Sequence, residues 1–129
     1  MRKQYHLFPG PSGFLAWDVD RLVRLTKELE IQEVLLESIR ELDDPFWLVD
    51  DPAPTLREVA DHARLINETD LRHPIILGAD GRVMDGRHRV AKAFIEGRHV
   101  IRAVRFLSDP EPDYVGVHPD DLPYDDEEV

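Results

Sequence analysis

A chain of 129 residues with no cysteine fits one domain by length and excludes a disulfide framework, a thiolate zinc site, an iron–sulfur cluster and a cysteine nucleophile. The longest apolar runs, Phe14–Trp17 and Phe46–Val49, are four residues, far short of a membrane span. The basic start, Met1 to His6, meets Phe8-Pro9-Gly10-Pro11 where a signal peptide needs a long apolar region. These features predict a soluble, unprocessed, cytoplasmic protein with no membrane partner.

The net charge of −11 is unevenly distributed. From Asp109 onward there are nine acids and no Lys or Arg, whereas Leu71 to Leu107 carries eight Lys or Arg against Asp80, Asp85 and Glu96. A local basic patch in an acidic protein suits a small anion better than an extended nucleic acid, which the remaining charge would repel.

Along the chain, Phe8 to Phe14 holds two prolines and two glycines and reads as irregular. Asp18 stands as an N-cap before Val19, Leu22, Val23 and Thr26 at helical spacing, with Trp17 and Leu22 in the positions of a hydrophobic staple. This predicts a helix from Asp18 to about Leu29. Residues 28–42 fit either a longer helix or a half-buried strand at Ile31 to Leu36, a choice that short apolar runs leave open. Asp43 to Pro54 reads as loop, and its Phe46 and Trp47, like Trp17, as core or lid aromatics.

Thr55-Leu56-Arg57-Glu58 is a capping box. It opens a helix whose stripe of Leu56, Val59, Ala60, Ala63 and Ile66 is predicted to be buried, with His62 on the helix surface. Pro74 to Gly78 reads as a buried strand, Asp80-Gly81 as a type I′ hairpin turn, and Arg82 to Met84 as the returning strand. A helix follows from about Arg87 to Glu96, with Val90, Ala91, Phe94 and Ile95 inward and Gly97 at its C′ position. His99 to Phe106 forms the last strand. Beyond Ser108 four prolines and nine acids make a tail too polar to pack fully, although Tyr114, Val115, Val117, Leu122 and Tyr124 can pin parts of it.

The segment Asp85-Gly86-Arg87-His88-Arg89 carries the chemistry. Cations at a helix N-terminus oppose the macrodipole, at about 0.3–1 kcal/mol each when exposed. Placing Arg87, His88 and Arg89 there becomes favourable when an anion occupies the same point, held by backbone N–H groups and guanidinium forks. The alternative is that these side chains are solvated or paired with Asp80, Asp85 or tail acids.

That turn, continued by Val90-Ala91-Lys92-Ala93, resembles the ParB/sulfiredoxin-like superfamily. So do the strand Pro74 to Leu77, the strand Ile101 to Phe106, and the upstream Val34-Leu35-Leu36-Glu37-Ser38-Ile39-Arg40. The likeness spans about Ile31 to Phe106 and favours the strand reading near Val34. It implies an α+β fold, a small mixed sheet with packed helices, and three segments: a helical extension (1–30), the ParB/sulfiredoxin-like domain (31–107) and an acidic, Pro-rich tail (108–129).

It also implies nucleotide binding, the ligand being CTP in partition proteins, ATP in sulfiredoxins, and ADP or ATP in free serine kinases. Phosphate contacts fall on Gly86, Arg87, His88 and Arg89. Arg87 stands where sulfiredoxins carry their catalytic cysteine, which removes that chemistry. The Gly-Glu-Arg-Arg turn and long DNA-binding region of partition proteins are missing. The Asp-Gly-His-His-Arg of the serine kinases differs at one position.

By that analogy the chain is an ATP-dependent phosphotransferase or NTPase with a small-molecule acceptor. Asp85 holds Mg²⁺ or the acceptor, His88 and Glu41 take catalytic roles, and Arg57 and Arg64 form a second set of nucleotide contacts. A solvated acidic loop is the alternative for Glu41, helix capping for Asp85, and surface solubility for the two arginines. Two other functions stand beside this one: a non-enzymatic module whose acidic tail binds a basic protein, and a ParB-like DNA-processing factor.

Overall fold

The computed structural model describes residues 3–45 and 53–124. Among them are seven strands and three α-helices in an α+β arrangement. Strands β1 (Tyr5–Gly10) and β2 (Gly13–Asp18) form a hairpin, followed by helix α1 (Val19–Leu25), β3 (Gln32–Leu35) and two single turns at Leu36–Ser38 and Arg40–Asp43. Helix α2 (Leu56–Glu68) precedes β4 (Ile75–Leu77), β5 (Val83–Asp85), α3 (Arg87–Ile95), β6 (Val100–Arg105) and the short β7 (Tyr114–Val115).

The strands make two sheets. One is antiparallel in the order β1-β2-β7; the other is mixed, in the order β3-β6-β4-β5, with β4 parallel to β6 and the other pairs antiparallel. The mixed sheet is covered on both faces. Ile75, Leu77, Val83, Ile101 and Ala103 pack with Val90 and Ala93 of α3 and with Leu36 and Ile39. On the opposite face Ile76, Met84, Val104 and Phe106 pack with Trp17 and Leu22. Alternate residues of one strand thus belong to different cores, which is why Ile75-Ile76-Leu77 is apolar throughout.

Five expectations need correction. Residues 8–14 are part of the first hairpin, because β1 is an edge strand and Pro9, paired with Phe14, costs no ladder bond at an edge. Asp18 does cap α1, its Oδ1 accepting from Asp20 N–H at 2.9 Å, but the helix ends at Leu25, where the Thr26 hydroxyl donates to the carbonyls of Leu22 and Val23. The Asp80-Gly81 turn is not type I′, since only Gly81 has positive φ. Instead a β-turn closed by Gly81 N–H on Gly78 O leads into a left-handed glycine, the pattern of longer hairpin loops.

The fourth correction concerns helix faces. None of the α2 stripe is buried, and Leu56 is 85% exposed. Phe94 and Ile95 are likewise exposed, while Val90 and Ala93 carry the contact of α3 with the sheet. The fifth is the tail, most of which is attached. β7 pairs with β2, Leu122 is buried, and Trp17 Nε1–H donates to Pro110 O at 2.8 Å. Tyr5 donates to Pro123 O and stands edge-on to Tyr114 and Tyr124.

The strand near Val34, the capping box with both of its hydrogen bonds and Gly97 in the left-handed region after α3 agree with expectation. Phe46, Trp47 and the last acids, Asp125 to Glu128, lie outside the described residues.

Candidate functional site

β5 ends at Asp85, and Gly86 turns the chain directly into α3 with φ +111° and no side-chain cap. A Cβ on Gly86 would fall 2.6 Å from Ile75 Cγ2 and 3.1 Å from Arg89 Nη2. The turn therefore needs glycine for its backbone conformation and for the close passage of β4. A glycine cap also offers no oxygen to the first-turn amides, which leaves that role to other groups.

In front of the turn lies a cavity of about 1000 Å³. The β1 strand forms one wall through His6 and Phe8, joined by Phe14 of β2. Glu41 and Asp44 line a second side, the C-terminal end of α2 contributes Leu65, Glu68 and Thr69, and Arg82 to Arg89 run along the remainder. Asp85, Gly86, Arg87, His88, Arg89 and Glu41 are thus brought together. Arg57 and Arg64 are not among the lining residues. Both are exposed, and Arg64 pairs with Asp61 on its own helix at 3.1 Å. The structure therefore does not bring these two arginines together with the turn residues, although Glu68 on the same face of α2 does line the cavity.

The basic side chains have protein partners. Arg89 Nη2–H donates to Asp85 Oδ2 at 3.0 Å, with side-chain exposures of 16% and 22%. Its Nε is buried and has no hydrogen-bond partner. Arg87 Nη2–H donates to Pro45 O at 3.2 Å. His88 Nε2 lies 3.1 Å from His62 Nδ1, so one ring donates to the other and the pair holds the two helices in register. Burial, then His62 and the neighbouring arginines, push His88 below the usual histidine range. His62, expected on the helix surface, is half-buried in this contact.

Asp85 does not cap α3; it is committed to Arg89. Glu41 Oε2 accepts from Val83 N–H at 2.9 Å, while its Oε1 is buried without a partner. A buried carboxylate oxygen left unpaired carries a desolvation cost of roughly 1–3 kcal/mol, and such groups invite a functional explanation. His6 is the second histidine of the cavity. Burial above all, then Arg87 and Arg82, lower it to about 4, so near neutrality it is an uncharged donor and acceptor. No local pattern marks it in the sequence, because Phe8-Pro9-Gly10-Pro11 beside it reads as a bend.

Compared with protein-family models, curated proteins and solved structures, the chain matches none. Among the described residues no helix is long and apolar enough to cross a membrane. No group of three or more His, Asp or Glu among them is placed to hold a metal ion. Glu41 and Asp85 line one cavity but have separate partners, so a divalent cation fits only as one carried in by phosphates, with one or two carboxylates completing its shell.

Proposed function

We propose that the cavity binds a nucleotide, with its phosphates at the Gly86 turn, as in the ParB/sulfiredoxin-like superfamily that the chain resembles. The observation that carries this reading is a ligand-sized cavity opening onto an uncapped helix N-terminus whose first residues are Arg87, His88 and Arg89. Its volume lies at the upper end of small-ligand sites. Helix N–H groups and the dipole would hold the phosphates, Arg87 and Arg82 would balance their charge, and the apolar wall at Phe8 and Leu65 suits the nucleoside. The lining carries acids as well as arginines, a mixture that fits a phosphate chain with Mg²⁺ better than a bare anion.

Phosphoryl transfer is the reaction this arrangement suits. The acceptor hydroxyl forms its bond to the terminal phosphorus while the bridging oxygen leaves with the remaining phosphates. The Glu41 carboxylate takes the hydroxyl proton, and His88, uncharged near neutrality, hydrogen-bonds a phosphate oxygen. Arg89 acts chiefly through Asp85, so Arg87→Ala is the cleaner probe.

ATP, ADP, CTP and GTP at millimolar concentration with Mg²⁺ are each tested for a rise in melting temperature. At a hundredfold excess over Kd the stabilisation is about 2.7 kcal/mol, a rise of several degrees for a chain of this size. Arg87→Ala should remove most of it. No rise with any of the four nucleotides would overturn the proposal. The acidic-tail module is less favoured, because Asp109 accepts from Ala79 N–H and Asp113 accepts from Asp18 N–H and Arg21, which commits those acids inside the fold.

A further inference from the structure

A second cavity, of about 300 Å³, lies where the end of α1 meets β4 and β6. Asp85 and Arg89 line it as well as the larger cavity, so their ion pair is a common wall. Leu29, Ile76 and Val104 make its apolar surface. The groups able to carry positive charge around it are Lys27, His73 and Arg89, against the single acid Asp85.

We propose that this cavity binds a small carboxylate with an apolar body, of the size of an aromatic or medium-chain carboxylic acid. The volume sets the size: an apolar cavity of about 150 Å³ takes benzene, so this one suits roughly ten non-hydrogen atoms. The walls set the body, since their apolar surface is best covered by hydrocarbon. The charges set the head group. Asp85 is already balanced by Arg89, and His73 faces Asp70 at 3.9 Å, which leaves Lys27 as the lining cation that favours an anion. Arg89 lines the cavity, and a guanidinium takes carboxylates through paired N–H donors. The ligand carboxylate therefore shares Arg89 with Asp85 and lies within reach of Lys27, while its body covers Ile76 and Val104. This holds whether or not a nucleotide fills the larger cavity.

Benzoate, benzyl alcohol and acetate titrated into the full-length protein, followed by amide chemical shifts, separate the contributions. Benzoate should give saturable shifts at Thr26, Ile31 and Ile76, binding about tenfold or more tightly than benzyl alcohol. Acetate should not saturate at those positions. Lys27→Gln, in the exposed turn that follows α1, should weaken benzoate by up to roughly fivefold and leave benzyl alcohol unchanged. Equal binding of the acid and the alcohol would overturn the carboxylate assignment. Saturation by acetate, shifts confined to Phe8 and Leu65, or no saturable shift would overturn the site. ATP is read separately at Phe8 and Leu65, so failure of the nucleotide proposal and failure of this one are distinguishable.

Discussion

Gly86 and His6 show how differently single residues announce themselves. A glycine between a strand and a run of basic residues reads as a sharp turn, and the structure adds a second constraint, the Ile75 side chain lying where a Cβ would stand. Gly86→Ala should therefore destabilise the fold by about 2–4 kcal/mol, combining the left-handed backbone with a clash in the core, as measured by urea denaturation. His6 has no motif around it. Its low pKa comes first from burial and then from Arg87 and Arg82, far away in sequence.

The linkage has a definite sign. The unfolded chain binds a proton near pH 6.5 and the folded one near 4, so between these values the unfolded state holds more protons. Stability is then full above about pH 6.5 and falls as the pH is lowered toward 4, by at most about 3 kcal/mol. His88 adds to the fall in the same direction. Urea midpoints followed from pH 7 to 4.5 should show this decline, and His6→Phe should flatten it. An unchanged slope in the variant would assign the effect elsewhere.

Helix α2 was readable as a helix and misread as to its packing. The capping box depends only on residues three apart, and both of its bonds form. Thr55→Ala should cost about 1 kcal/mol. The apolar stripe, by contrast, tells only that one face differs from the other. Here the helix is fastened to α3 through Lys92 Nζ, which donates to the carbonyls of Asn67 and Thr69 at its C-terminal end, and through His62. Leu56, Val59, Ala60 and Ala63 of the stripe stay exposed, and Ile66 is half-buried. Leu56→Ser should accordingly change stability by less than about 0.5 kcal/mol, whereas Leu22→Ala, at a fully buried position of α1, should cost about 2–5 kcal/mol. Parallel chemical denaturation of the two variants checks the contrast.

The first hairpin failed for a related reason: turn-forming residues mark bends, but whether the flanking segments pair depends on a partner strand, and β2 finds one in β7.

In the molecule as a whole, the C-terminal segment straps the hairpin that walls the larger cavity. Removing residues after Leu107 deletes the acceptor for Trp17 Nε1–H, the β7 pairing and the buried Leu122. The truncated chain should lose at least about 2 kcal/mol, from Leu122 burial and orphaned hydrogen bonds, and its tryptophan emission should shift as Trp17 is exposed. A truncation of unchanged melting temperature and emission would remove the strap from this account.

Local chemistry was enough to locate the Gly86 turn, the Thr55 cap, the Asp18 cap and the short apolar strands, because each depends on residues within a few positions of one another. The resemblance added the strand near Val34. Which face of α2 meets α3, that His62 reaches His88, that Glu41 keeps an unpaired oxygen while it holds β5 at Val83, and that an acidic tail closes over Trp17 all depend on segments brought together across tens of residues. Such contacts are chosen by competition among apolar surfaces and hydrogen-bonding groups of the folded chain, and no local pattern records the outcome.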